Sequence, residues 1–196
     1  MQASRIAFEK RVPRTGRTAS VLMLKSLPAA LALVFAPAGW AIDGAAGLPQ
    51  NGNVFAGAAT GTVAGNQLTI SQSTNRAVID WASFNINAAK AVQFNQPNAA
   101  SAVLNRVTGD VNPSQILGSL SANGTVMLMN PNGVLFGPGA AVNVASLIAT
   151  TGNIDVNNFI NTGGALITGA TGSISSQGAL TAQGAGLVAL VAPSVS

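Results

Sequence analysis

The run Asn130-Pro131-Asn132-Gly133-Val134-Leu135-Phe136-Gly137-Pro138-Gly139 leaves this chain few ways to fold. It lies between two apolar runs, residues 125–129 and 141–148. Asn130 can fold its side chain back onto the backbone, Pro131 arrives with φ near the turn value, and Asn132 and Gly133 tolerate positive φ, so each residue has its own reason to bend the chain. Gly137-Pro138-Gly139 makes a second corner just beyond. Two corners joined by the short apolar segment 134–136 fit a chain that coils in short strands and exclude a long helix.

The body of the chain repeats that theme. Residues 44–65 are mostly Gly, Ala, Asn and Thr without helical periodicity, which predicts short strands with tight corners. Residues 67–72 (QLTISQ) and 76–86 (RAVIDWASFNI) alternate polar and apolar side chains, directing Ala77, Ile79, Trp81 and Phe84 inward. Residues 91–95 (AVQFN) do the same, Gln96-Pro97-Asn98 turns the chain, and an apolar-rich segment follows at 101–107. A turn at 108–113 starts either a helix or a strand, and residues 113–120 can make a single short helical turn. Beyond Ser119, apolar clusters return every 6 to 10 residues (Val126/Leu128, Val142/Val144, Leu147/Ile148, Ile154/Val156, Leu166/Ile167, Ile174, Leu180, 187–191) with Gly, Asn, Ser and Thr between them. That is the scale of a strand plus a corner, so the reading is a solenoid of β-coils whose corner asparagines can hydrogen-bond along the stack. An antiparallel sandwich shares the short strands. A membrane barrel calls for aromatic girdles, and only 5% of the chain is aromatic.

Composition narrows the chemistry. At 196 residues and 48% hydrophobic, with a mean hydropathy of +0.42, the chain can bury a core and is not disordered. Its net charge of +4 and pI of about 10.8 come from Arg5, Lys10, Arg11, Arg14, Arg17 and Lys25. Beyond Ala41 only Arg76, Lys90 and Arg106 face Asp43, Asp80, Asp110 and Asp155, so the body has no electrostatic footprint for nucleic acid. His, Cys and Tyr are absent, which removes thiol chemistry and the usual ligands and bases of zinc, haem and His-based sites. No cofactor, metal or catalytic residue is expected.

The basic first 25 residues run into an apolar stretch, 26–41, that ends in small residues. This is the layout of a secretory signal peptide with a long basic n-region, and Gly39 with Ala41 places cleavage between Ala41 and Ile42 in preference to a cut after Ala38, which Pro37 disfavours. A membrane anchor competes with this reading, but the stretch is shorter than the roughly 20 residues a spanning helix needs, and Pro28 and Pro37 interrupt it.

Several segments, in order, carry a resemblance. They are Ile42-Asp43 with Leu48-Pro49, residues 79–86 (IDWASFNI), 92–97 (VQFNQP), 103–109 (VLNRVTG), 114–118 (SQILG) and above all 130–137 (NPNGVLFG). Together they make the chain from Ile42 onward similar to the N-terminal secretion domain of the filamentous-haemagglutinin-like, or haemagglutination-activity-domain, exoproteins of Gram-negative bacteria, which leave the cell by two-partner secretion. The resemblance implies an all-β fold: a right-handed parallel β-helix with an N-terminal cap and extra-helical β-strands. It implies a non-enzymatic role, recognition by the periplasmic domains of a partner outer-membrane transporter. The Sec translocon and signal peptidase would act first, and the product would reach the cell surface or medium. Asn130, Pro131, Asn132 and Gly133 would form the secretion motif, either as a shaping turn or as direct contacts. The family's upstream Asn-Pro-Asn-Leu element has Asn95-Gln96-Pro97-Asn98 as its nearest counterpart, a second candidate recognition motif. Asn105-Arg106 reads as solvated strand in preference to a partner contact. Domain 42–196 stops mid-coil at residues 191–196, so a truncated secretion domain is expected, with the target receptor or glycan set elsewhere in the exoprotein.

Two other functions share the coil. A polysaccharide-active β-helical enzyme needs clustered carboxylates, whereas the four aspartates here are far apart in sequence. A self-associating structural solenoid would need no dedicated transporter.

Overall fold

The structure, a computed structural model, describes residues 41–196. Residues 1–40, the leader up to and including Trp40 and with it Gly39, therefore lie outside the described residues. Three short strands form a cap: β1 (Ala41–Ile42), β2 (Gly52–Ala56) and β3 (Ala59–Ala64). The first coil follows with β4 (Gln67–Gln72) and β5 (Arg76–Trp81), and closes through a single bridge from Ile86 to Ile116. The second holds β6 (Ala91–Asn95), β7 (Ala102–Val107) and β8 (Ser114–Ile116), and the third β9 (Ser119–Ala122), β10 (Thr125–Met129) and β11 (Val134–Phe136). The fourth begins with β12 (Ala141–Val144) and β13 (Ser146–Thr150). It then leaves the solenoid through β14 (Asn153–Ile154), α1 (Val156–Thr162) and β15 (Ile167–Thr168), and returns at β16 (Ser173–Ser176). The fifth is β17 (Ala179–Ala182), β18 (Val188–Val191) and β19 (Ser194–Val195).

Successive coils pair in parallel and build three sheets. The first sheet contains β4, β6, β9, β12 and β17, the second β5, β7, β10, β13 and β18, and the third β8, β11, β16 and β19. The cap pairs antiparallel, β3 on β4 and β2 on β5, so it covers the strand edges that the first coil would otherwise expose. This is the right-handed parallel β-helix expected, and the antiparallel sandwich is not what forms.

In-register pairing converts the alternation of each strand into rows of like side chains. Leu68, Val92, Leu120 and Val142 stack in the first sheet, and Ala77, Val103, Val126 and Leu147 in the second, all buried between the sheets. Trp81 and Phe84 meet edge to face, ring centroids 5.5 Å apart, at the base of this core. The corners are close-packed. A Cβ on Gly118 would collide with the carbonyl oxygens of Lys90 and Asn87. Corner asparagines bond along the stack as expected, Asn98 Nδ2 donating to Asn75 Oδ1 at 3.2 Å, and amides of the strands also bridge the coils, for example Gln67 Nε2 to Gln93 Oε1 at 2.8 Å.

Four local expectations are corrected. Residues 113–120 make no helical turn: Ser114 N donates to Gly133 O (3.0 Å), and strands β8 and β9 flank Leu117-Gly118 because inter-coil pairing outweighs a weak local helix preference. Strand β5 ends at Trp81, so residues 82–86 turn the chain instead of extending it. Of Asn132 and Gly133 only Gly133 has positive φ, at 123°. The Ile154/Val156 and Leu166/Ile167 clusters are not coils but the excursion. The outer face of the second sheet carries Val78, Leu104, Met127 and Ile148, and α1 lays Phe159 on it with Ile154, Val156, Ile160 and Ile167. A seven-residue helix is not stable alone, so it exists because that apolar strip must be covered. Asp155 caps its start by accepting from Asn158 N (2.7 Å), and Gly163, at φ 79°, ends it. Arg76, 84 residues earlier, donates to its last carbonyls, Ile160 O at 2.8 Å and Asn161 O at 3.3 Å.

Candidate functional site

Strand β10 ends at Met129 and Asn130 turns the chain toward β11. Asn130 is fully buried and joins three coils. Its N–H donates to Thr150 O in the coil above (3.0 Å), and its Nδ2 donates to Asn112 O (3.1 Å) and Ser114 Oγ (3.0 Å) in the coil below. Within its own coil, Oδ1 accepts from Asn132 N (3.0 Å) and the carbonyl accepts from Gly133 N (3.0 Å), closing the four-residue turn. Gly133 has no room for a side chain, since a Cβ would lie 2.9 Å from Ser173 O. Pro131 and Asn132 are exposed. Asn132 Nδ2 reaches down to Asp110 O (2.9 Å), and beside it Val111 is 83% exposed. The motif thus divides by burial: Asn130 and Gly133 are buried in the stack, while Pro131 and Asn132 are exposed, Asn132 still tied by its amide to the coil below. Val111 escaped the sequence reading, although an apolar residue between Asp110 and Asn112 in a turn was the available signal.

Asn95-Gln96-Pro97-Asn98 occupies the corner between β6 and β7. Gln96 is buried: its N–H donates to Asn123 Oδ1 (2.7 Å), its carbonyl accepts from Asn123 Nδ2 (2.8 Å), and its Nε2 donates to Gln72 Oε1 (3.3 Å). Asn98 Nδ2 donates to Asn75 Oδ1 (3.2 Å) in the coil below. Asn95, Pro97 and Asn98 are exposed. This corner precedes the second-sheet strands and the Asn130 corner follows them, so the two motifs flank that sheet about 20 Å apart, the length of a six-residue strand. The fold does not bring them together. Ala41 and Ile42 lie in β1, opposite Asn53 and Gly52, with Ile42 buried.

Asn105 and Arg106 are not solvated. Asn105 is fully buried in the row Ile79, Leu128 and Ala149, where Oδ1 accepts from Trp81 Nε1 (3.0 Å) and Nδ2 donates to Met127 O (3.3 Å). Arg106 grips Asp80 with Nε at 2.6 Å and Nη2 at 2.7 Å, and lies 4.7 Å over the Phe55 ring. The other aspartates have local partners: Asp43 accepts from Asn51 N (3.2 Å), Asp110 from Asn112 N (2.9 Å), and Asp155 caps α1. Each of these four aspartates serves a separate structural contact, an arrangement unlike the paired acids of a glycosidase.

The sequence profile of the TPS secretion domain matches residues 45–196. The chain belongs to the TPS secretion domain family. The secretion domain is 51% identical over 108 residues to a heme/hemopexin-binding protein of Haemophilus influenzae, a match spanning 55% of this chain and 12% of that protein. A second Haemophilus influenzae heme/hemopexin-binding protein is 50% identical over 90 residues, covering 46% of this chain and 10% of the relative. The chain therefore matches only about a tenth of the length of these curated relatives. Among solved structures, the HMW1 secretion domain from Haemophilus influenzae superposes with a TM-score of 0.67 at 36% identity, over 75% of this chain and 40% of that one.

Proposed function

We propose that residues 42–196 are the part of a larger exoprotein that a partner outer-membrane transporter recognises through its periplasmic domains, and that the Asn130–Gly133 corner belongs to the recognised surface. The observation that carries this reading is the division of labour in that corner. Asn130 is buried and bonds across three coils, whereas Pro131 and Asn132 are exposed, Asn132 with its Nδ2 bonded down to Asp110 O, and Val111 is exposed beside them. The exposed Asn95, Pro97 and Asn98 form a second contact on the far side of the second sheet. The Sec translocon delivers the chain and signal peptidase cuts between Ala41 and Ile42. That cut removes Ala41, which pairs with Asn53, and leaves Ile42, opposite Gly52, as the first residue of the cap. The chain then passes through the periplasm to the cell surface or medium.

Heme or hemopexin binding, the property in the relatives' names, belongs in this reading to other parts of such exoproteins. A haem iron takes His, Cys, Tyr or Met, and this chain has no His, Cys or Tyr. Met127 and Met129 are buried under α1.

The test is export from a Gram-negative host carrying the chain with its own leader, with and without a matching transporter, followed by detection of a mature chain beginning at Ile42. Appearance in the medium only with the transporter supports the proposal. Retention in the periplasm in both hosts, with the domain intact, refutes it.

A further inference from the structure

The sequence holds three Asn-Gly pairs: Asn51-Gly52, Asn123-Gly124 and Asn132-Gly133. This dipeptide is chemically fragile in a flexible chain. The glycine amide nitrogen attacks the asparagine Cγ, the new C–N bond closes a succinimide, the Cγ–Nδ2 bond breaks, and ammonia leaves with the displaced proton. Water then opens the ring to aspartate or to isoaspartate, whose backbone runs through the side chain. Glycine permits the attack because it lacks a Cβ to obstruct the approach.

The fold treats the three pairs differently. At Asn132 the attacking nitrogen is occupied, because Gly133 N–H donates to Asn130 O (3.0 Å), and the departing Nδ2 is tied to Asp110 O (2.9 Å). Both ends of the reacting pair must be released before ring closure. Asn123 is clamped at both side-chain atoms, Oδ1 by Gln96 N (2.7 Å) and Nδ2 on Gln96 O (2.8 Å). Asn51 is exposed and sits at φ 50°, and its side chain has no hydrogen-bond partner among the described residues.

We infer that Asn132 is a conditional modification site: it deamidates while the chain is unfolded and is shielded once coils two to four are stacked, whereas Asn51, its side chain untied, is the least shielded of the three although Gly52 is buried and pairs with Ile42 in the cap. The product is incompatible with the corner. An isoaspartate at 132 lengthens the backbone by one carbon, and the Gly133 N–H to Asn130 O turn that also seats Gly133 under Ser173 O cannot then close. Asparagine 132 thereby records how long a chain has remained unfolded, and chains that have aged cannot complete the stack.

The experiment incubates the purified mature domain at mildly alkaline pH, folded and in urea, and follows each Asn-Gly pair by peptide mass spectrometry with isoaspartate detection. Opening the corner limits the reaction in the folded state, so conversion at Asn132 is expected to slow by at least about tenfold relative to urea, with Asn51 slowed least of the three. The urea-aged sample is then refolded, and the folded fraction should be depleted in isoaspartate at position 132. Equal rates at Asn132 in the two states, or no conversion in urea, overturn the site. Refolding of isoaspartate-132 chains in full yield overturns the proposed consequence. Neither readout involves a transporter, so the result is independent of the export reading.

Discussion

The indole Nε1 of Trp81 donates to Oδ1 of Asn105, 3.0 Å away, and both side chains are fully buried. Trp81 lies at the end of β5 and Asn105 in β7, one coil later, so this bond joins the first two coils inside the apolar core. Asn105 spends its Nδ2 on Met127 O of the third coil. One amide thus satisfies the only polar atom of the largest buried side chain and tethers the next strand.

Asn105→Leu would fit the apolar row but leave the Trp81 N–H without an acceptor, at a cost of about 1–3 kcal/mol. Adding Trp81→Phe removes that orphan donor, so the double variant should be more stable than the two single losses summed. Urea unfolding of the four proteins in a double-mutant cycle measures this, and strict additivity would contradict the coupling.

Asn130 and Asn132 should separate folding from recognition. Asn130→Ala removes the side-chain bonds to Asn112, Ser114 and Asn132 and is expected to cost about 2–4 kcal/mol, because buried partners are left unpaired. Asn132→Ala lies on the surface and should change stability by about 1 kcal/mol or less while reducing transporter-dependent export. Normal export of a stable Asn132→Ala chain would mean that the corner is structural only.

Asn132→Pro is the sharper folding variant. It deletes the N–H that Asn130 Oδ1 accepts and pushes Pro131 away from its turn conformation, so a loss of about 2 kcal/mol or more follows. Unchanged circular dichroism and an unchanged melting temperature would remove this corner from its organising place.

The excursion should behave as a strap. Phe159→Ala empties a fully buried site between α1 and the second sheet and is expected to cost about 3–5 kcal/mol if strap and solenoid unfold together. Arg76→Met keeps the aliphatic stem but loses the helix-end bonds, at about 1 kcal/mol. Hydrogen exchange resolves where the loss falls: the amides of Phe159 and Gly163 should gain exchange in both variants ahead of those in β7 and β10.

Gly118→Ala tests how closely the coils approach. The added methyl meets two carbonyl oxygens, those of Lys90 and Asn87, and backbone cannot move aside cheaply, so a loss of about 2 kcal/mol or more is expected in thermal unfolding. Gly65, in the turn between β3 and β4, has φ 56° and open space around it, so Gly65→Asn should be nearly neutral.

The repeating plan was legible because it is written in local chemistry. Alternation in residues 67–72 and 91–95 fixes which side chains turn inward, and the Asn130 and Gln96 corners fix where strands stop. The excursion was missed although its punctuation was present: Asp155 at the N-cap, Val156, Phe159 and Ile160 at helical spacing, and Gly163 beyond the end. In a chain of coil-sized apolar clusters, a two-turn segment looks like one more strand.

Turns and alternation are properties of a few adjacent residues, and they determined strands, corners and the coiled all-β character of this domain before any folding. What lies on the outside of a sheet is not local. Val78, Leu104 and Met127 share a face only after three coils are in register, and only then does a strip exist for Phe159 to cover and a place for Arg76 to meet Ile160 O. The same holds for Asn105, whose polarity predicts solvent until the neighbouring coil supplies the Trp81 N–H that makes burial the better solution.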